Sequence, residues 1–126
     1  MTRGSCLCGA NVLELDPPAG PVTACHCTQC RKYSGYYAAS LDVDRDAVRW
    51  VKQGHIKEFQ HPSGARRVFC GCCGTKLWFE GADGWHSLEA GLLDAPTGGQ
   101  MAGHIFAADK GDYYTILDGL PQEAQL

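Results

Sequence analysis

The chain has 126 residues, with 44% hydrophobic and 20% charged, a globular balance that excludes a disordered polymer and leaves room for one hydrophobic core. A formal net charge of −3 argues against nucleic acid as the main partner, because phosphate binding needs a positive excess. Eight cysteines in so short a chain are the compositional outlier.

Helical periodicity is poor, and short runs of β-branched and aromatic residues alternate with Gly, Pro and Asp turns, the pattern of a mainly β protein. Strands are predicted at residues 11–15, 22–27, 36–43, 48–52, 56–60, 67–70, 76–80, 86–92 and 113–116. The separators carry turn chemistry: Asp16-Pro17-Pro18, Gln53-Gly54, His61-Pro62-Ser63-Gly64, Ala82-Asp83-Gly84, and residues 96–99. Residues 27–32 are expected to form a single helical turn. Residues 92–101 read as the least ordered stretch, and the tail from Gly119 is expected to lie over the edge of a barrel. No repeat, linker or low-complexity segment interrupts the chain, so residues 1–126 are expected to form a single domain.

Met1 to Asn11 lacks the apolar core of roughly 7–15 residues that a secretory signal needs, and no apolar run approaches the roughly 20 residues of a membrane span. A cytoplasmic address and no membrane partner are therefore expected. Disulfides seldom persist there, which turns the cysteines toward metal.

The cysteines fall into three groups: Cys6-Leu7-Cys8, Cys25-His26-Cys27-Thr28-Gln29-Cys30, and Cys70-Gly71-Cys72-Cys73. Residues two apart on an extended chain share a face, so Cys6 and Cys8 can grip one ion together. A C-x-x-C followed by glycine is zinc-knuckle spacing, with Gly71 and Gly74 letting the backbone bend around the metal. The first and third groups combine into a closed four-thiolate site of Cys6, Cys8, Cys70 and Cys73. Cys72 is left over, either a small buried hydrophobe or a replacement for Cys73 as ligand.

The middle group supplies three thiolates, Cys25, Cys27 and Cys30. A three-ligand zinc with an open fourth position is how catalytic zinc is usually built, so these cysteines are the expected reactive centre. His26, another histidine or an aspartate could instead close the fourth position. His26 lies between two ligands that share a face and is expected to point the other way. Two zinc ions per chain are the expected cofactors; with seven deprotonated thiols they shift the net charge from −3 to about −6.

The runs GSCLCGA (4–10), ACHCTQCRKYSG (24–35), RVFCGCCGTKLWF (67–79) and GHIFAADKGDYYTILDGLPQ (103–122) resemble the glutathione-dependent formaldehyde-activating enzyme family, whose relatives include centromere protein V. The resemblance implies a β-tent fold of small antiparallel sheets with zinc-knuckle elements, shared with the Rab-releasing zinc protein and methionine sulfoxide reductase B. It matches the structural zinc to Cys6, Cys8, Cys70 and Cys73 and the second zinc to Cys25, Cys27 and Cys30. It implies a carbon–sulfur lyase that condenses formaldehyde with glutathione to S-(hydroxymethyl)glutathione. Two departures stand out: Cys72 is an addition, and Tyr113-Tyr114 sit where a tryptophan is common.

Three thiolates neutralise zinc and weaken its Lewis acidity, which favours binding of a substrate thiol as thiolate over polarisation of a carbonyl. Thr28, Gln29, Tyr36 and Tyr37 are candidate hydrogen-bond donors near the second cluster. Glutathione carries two carboxylates, so its site should hold cations; Arg31-Lys32 and Arg66-Arg67 are available, and Arg31 is the expected glutathione contact. His55, His61, His86 and His104 are expected to be structural or exposed. Trp50, Trp78, Trp85, Phe79 and Phe106 are expected in the core. The competing functional class is a zinc-stabilised glutathione- or thiol-binding module without turnover. A redox role is disfavoured because no cysteine follows Cys73.

Overall fold

The structure, a computed structural model, describes residues 1–16 and 19–126. Its strands are β1 (Thr2–Ser5), β2 (Asn11–Leu15), β3 (Pro21–Cys25), β4 (Ala38–Asp42), β5 (Val48–Gln53), β6 (Ile56–Gln60), β7 (Arg66–Cys70), β8 (Lys76–Glu80), β9 (His86–Glu89) and β10 (Gln100–Ile105). One α-helix, α1 (Thr28–Ser34), interrupts them, with 3₁₀ turns at Arg45–Ala47, Ala90–Leu92 and Ala107–Asp109. No helix is long and apolar enough to cross a membrane among the described residues.

A three-stranded sheet runs β1-β2-β5, and a seven-stranded sheet runs β10-β3-β4-β9-β8-β7-β6. Alternation decides what each strand buries. In β2, Asn11, Leu13 and Leu15 point inward while Val12 and Glu14 do not, as a period of two requires. Leu13 and Leu15 meet Val48 of β5 and, from the larger sheet, Leu41, Val68, Leu77 and Leu88. Cys6 and Cys70 belong to the same core, so the first cysteine cluster is seated where the two sheets meet.

Pairing is antiparallel except at the edge, where β10 lies parallel to β3. This strand was not legible in the sequence, and nor was β1. Conversely, residues 113–116 are not a strand: their tyrosines stack on other aromatic rings instead of entering a ladder. The predicted strand 86–92 stops at Glu89 and continues as a 3₁₀ turn, while the single turn expected at 27–32 extends to Ser34. The tail does cover an edge: His104 N–H donates to Pro121 O, Glu123 N–H to His104 O and Phe106 N–H to Gln125 O, each near 2.9 Å. These bonds occupy the outer side of β10 and shield it from stray pairing. The predicted Asp16-Pro17-Pro18 turn has its prolines outside the described residues.

Candidate metal centres and the cavity at the second cluster

The first cluster is built from two hairpin turns. The turn joining β1 to β2 carries Cys6 and Cys8, and the turn joining β7 to β8 carries Cys70 and Cys73. Gly9 and Gly74 directly follow the second cysteine of each turn with φ of 77° and 79°, a conformation glycine adopts without strain. Gly9 N–H then closes on Cys6 O at 3.1 Å, and Gly74 N–H on Cys70 O at 2.9 Å. The first turn closes over three residues and the second over four, and the two are brought together from different sheets.

The sulfur positions suit a tetrahedral ion. Zn–S bonds of about 2.3 Å place neighbouring sulfurs about 3.8 Å apart. Cys6 and Cys8 Sγ are 3.7 Å apart, Cys8 and Cys70 Sγ 3.8 Å, and all four sulfurs lie within 4.8 Å of one another. Backbone N–H groups already point at them: Asn11 N–H donates to Cys6 Sγ at 3.3 Å and Cys72 N–H to Cys70 Sγ at 3.4 Å. Thr75 joins the turns, accepting from Leu7 N–H at 3.0 Å and lying 3.1 Å from Cys73 Sγ. That hydroxyl, with the Thr75 backbone, pulls the Cys73 thiol down to about 5. Burial works to raise Cys6, but the hydrogen bonds from Asn11 win and lower it. Both effects favour thiolates, which are the metal-binding form.

Cys72 is exposed and outside this group, contrary to its reading as a buried hydrophobe. It occupies the tip of the turn, where its N–H serves Cys70 and its side chain faces solvent. Cys73, not Cys72, joins the four.

Asn11 supports this centre from beneath. It is fully buried, its Nδ2 donates to Cys6 Sγ at 3.7 Å, and its Oδ1 accepts Gly54 N–H at 3.0 Å. Asn11→Ala should lower the stability of the metal-loaded protein by about 1–3 kcal/mol, read as a reduced urea midpoint, because two partners lose their bonds and a cavity opens. An unchanged midpoint would show that these bonds add nothing.

The second cluster forms where β3 meets α1. Cys25 ends the strand, Cys27 caps the helix with its Sγ accepting Cys30 N–H at 3.3 Å, and Cys30 sits in the first turn. Gly35 closes the helix in the left-handed conformation. The three sulfurs converge within 4.8 Å, with no fourth His, Cys, Asp or Glu among the described residues. Hydrogen bonds from Cys25 and Cys30 drive the Cys27 thiol far down, while Cys25 and Cys27 push Cys30 strongly up. Without a cation, one sulfur takes the negative charge and its neighbours keep their protons. A cation is needed for all three to give up their protons.

His26 does point away from the metal face, as expected. Its Nδ1 is bonded to the Tyr114 hydroxyl and its Nε2 to His104 Nδ1 at 2.9 Å; His104 Nε2 in turn reaches Asp118 Oδ2 at 2.7 Å. Both ring nitrogens are engaged, so His26 offers no ligand atom. This chain ties residues 104–118 to the back of the second cluster.

In front of the cluster lies a cavity of about 310 Å³. Cys25, Cys27 and Cys30 line it, with Gln29 and Tyr33 of α1, Arg67 of β7 and Glu89 of β9. Trp78, Phe79, Trp85 and Phe106, expected in the core, form walls of this cavity; Trp78 also packs on the core beside Trp50. Phe106 holds a left-handed backbone at φ 54°, costly for an aromatic residue and common where a site fixes a side chain. Arg67 is buried, donates to Gln29 Oε1 at 2.9 Å, and lies 5.0 Å from the Phe79 ring and 5.6 Å from the Tyr33 ring. Arg31, the expected glutathione contact, does not line the cavity. Nor do Thr28, Tyr36 and Tyr37; the two tyrosines stack around His26 and Tyr114. Tyr33 and Glu89 were not singled out in the sequence.

Two cysteine clusters able to hold metal ions, one closed between sheets and one opening on a cavity, define a mainly β metal-site protein of the β-tent kind. The chain belongs to the glutathione-dependent formaldehyde-activating enzyme family, whose sequence model matches residues 1–109. It is similar to an uncharacterized lyase of Schizosaccharomyces pombe, at 30% identity over 119 residues, covering 92% of this chain and 85% of that protein. Its fold is similar to the crystal structure of a Rhodobacter sphaeroides protein, with a TM-score of 0.59 and 19% identity, covering 95% of this chain and 98% of the other.

Proposed function

We propose that the protein is a zinc-dependent carbon–sulfur lyase acting on a glutathione–aldehyde adduct such as S-(hydroxymethyl)glutathione, with residues 1–126 as one GFA-type domain. The observation that carries this reading is the coincidence of three converging cysteine sulfurs and a buried arginine in one cavity. The lyase name of the Schizosaccharomyces pombe relative and the family's own description support it. Cys6, Cys8, Cys70 and Cys73 hold a structural zinc in this reading, and Cys25, Cys27 and Cys30 hold the second. A cytoplasmic setting is part of the same proposal, since eight free thiols suit a reducing compartment.

Cys25, Cys27 and Cys30 would hold the zinc, which when bound would stabilise a substrate thiol in its thiolate form. The chain's own residues do the rest. Arg67 offers a desolvated guanidinium to a glutathione carboxylate, and Gln29 fixes its direction. The aromatic walls exclude water from the reacting carbon. Positioning thiol and aldehyde together removes much of the entropy of a bimolecular addition.

The test is direct. Exchange NMR on formaldehyde and glutathione with the zinc-loaded protein should show adduct formation and breakdown faster than the spontaneous rate, and Cys30→Ser should return it to that rate. Binding of glutathione with no acceleration would make the protein a thiol-binding module instead.

A further inference from the structure

Glu89 is an ionisable group in the cavity with no structural partner. It ends β9 opposite Ser40 of β4 and lines the same cavity as Cys25, Cys27 and Cys30. Among the described residues, no hydrogen bond reaches its carboxyl, and the cations near it act only at a distance. A purely structural glutamate beside Arg67 would be expected to pair with it. Arg67 instead gives its N–H to Gln29 Oε1 at 2.9 Å and lies against Tyr33 and Phe79. The Tyr33 hydroxyl is likewise buried without a partner. Two residues lining the cavity thus carry polar groups without a hydrogen-bond partner, a half-buried carboxyl and a buried hydroxyl, and folding alone does not favour the second.

We propose that Glu89 is the proton carrier of this cavity, taking the proton of the incoming thiol and returning it to the aldehyde oxygen. The inference rests on the glutathione–aldehyde reading. The carboxylate accepts the S–H proton; the sulfur lone pair forms the C–S bond; the carbonyl π pair moves to oxygen, which takes the proton back from Glu89. The product is the hydroxymethyl thioether, with no net proton released and nothing oxidised. Breakdown of the adduct runs the same steps in reverse.

The other groups around Glu89 are poor candidates for this task. Asp42 on β4 is already held by Ser87 Oγ at 2.8 Å and Trp85 Nε1 at 2.9 Å. Burial pushes the Tyr33 hydroxyl on α1 up to about 12, too weak an acid to exchange protons freely near neutrality. Arg67 on β7 and Lys76 on β8 are cations that cannot take a proton. The cysteines of β3 and α1 are engaged with one another. Burial raises the Glu89 carboxyl to about 7, against the pull of Lys76 and Arg67, which places it where a proton carrier works best.

The test uses the zinc-loaded protein and glutathione alone. Calorimetry at pH 7.5 in two buffers of different ionisation enthalpy counts protons released on binding. A free thiol has a pKa of about 8.5, so binding it as thiolate frees about one proton. Wild type should release far less than one, because Glu89 keeps it, whereas Glu89→Gln should release nearly all of it. With formaldehyde added, Glu89→Gln should lower the catalysed rate about 10²-fold and abolish its rise with pH through neutrality. Glu89→Asp, which retains a carboxyl one methylene further back, should recover part of both. Equal proton release and equal rates in wild type and Glu89→Gln would overturn the proposal while leaving the glutathione reading intact. Failure of wild type to bind glutathione or accelerate the reaction would overturn both.

Discussion

Cys6→Ser should abolish the folded state, whereas Cys30→Ser should leave it standing. Cys6 is buried in the core at the junction of the two sheets, and its sulfur is one corner of a tetrahedron whose other corners come from the same turn and from the distant β7–β8 turn. Closing this centre fastens together segments more than sixty residues apart, as the Cys8–Cys70 contact illustrates. A structural zinc contributes about 10–16 kcal/mol, comparable to or larger than the roughly 5–15 kcal/mol net stability of a whole domain. Losing one thiolate ligand therefore removes most of the margin. The second cluster is different: its cysteines are only partly buried, lie within one short strand-to-helix segment, and face a cavity. Circular dichroism and metal analysis should show native spectra and about one retained zinc for Cys30→Ser, but a spectrum without strand signal for Cys6→Ser. A chelator should reproduce the second result in wild type. Native spectra and cooperative unfolding in Cys6→Ser would mean that packing alone holds the two sheets together.

The cysteine groups were readable because their spacing is local. Cys6 and Cys8 lie in the turn after β1, and Cys70 and Cys73 span one turn, so short-range geometry already pairs the sulfurs that converge. What crosses between elements was harder to read. β1 (TRGS) carries no apolar alternation, and β10 (QMAGHI) includes a glycine at which its register with β3 shifts. Both strands are defined by their neighbours more than by their own propensity. The run 113–116 has strong strand propensity, yet Tyr114 is used to cover His26 and Tyr113 stacks on Tyr36. The cavity residues illustrate the same limit. Arg31 adjoins Cys30 in sequence but does not line the cavity, while Arg67 arrives from β7 through the register of the sheet. Glu89 gave no local signal beyond a charge in the middle of the predicted strand 86–92, and only the pairing of β9 with β4 and β8 brings it to the cysteines.

Arg67→Met should raise the KM for glutathione about 10²-fold with little change in kcat, because the arginine's proposed task is to hold a carboxylate remote from the reacting sulfur. The guanidinium is almost fully buried and held by one hydrogen bond and two aromatic faces, so it is largely desolvated before substrate arrives. A carboxylate approaching it meets a cation whose dehydration cost is already met in the folded protein. Loss of one member of such a pair typically costs about 2–5 kcal/mol, and a 10²-fold change corresponds to about 2.7 kcal/mol, toward the lower end of that range. Methionine keeps an apolar body between Tyr33 and Phe79, which separates loss of charge from loss of packing. Arg67→Lys should not restore binding fully, since an ammonium lacks the planar fork that faces both Gln29 and a carboxylate. Arg31→Met is the matched control. Because Arg31 does not line the cavity, its replacement should leave KM within about twofold, as expected of a substitution outside the site. If Arg31→Met weakened glutathione binding and Arg67→Met did not, the substrate would have to lie outside this cavity, nearer Arg31.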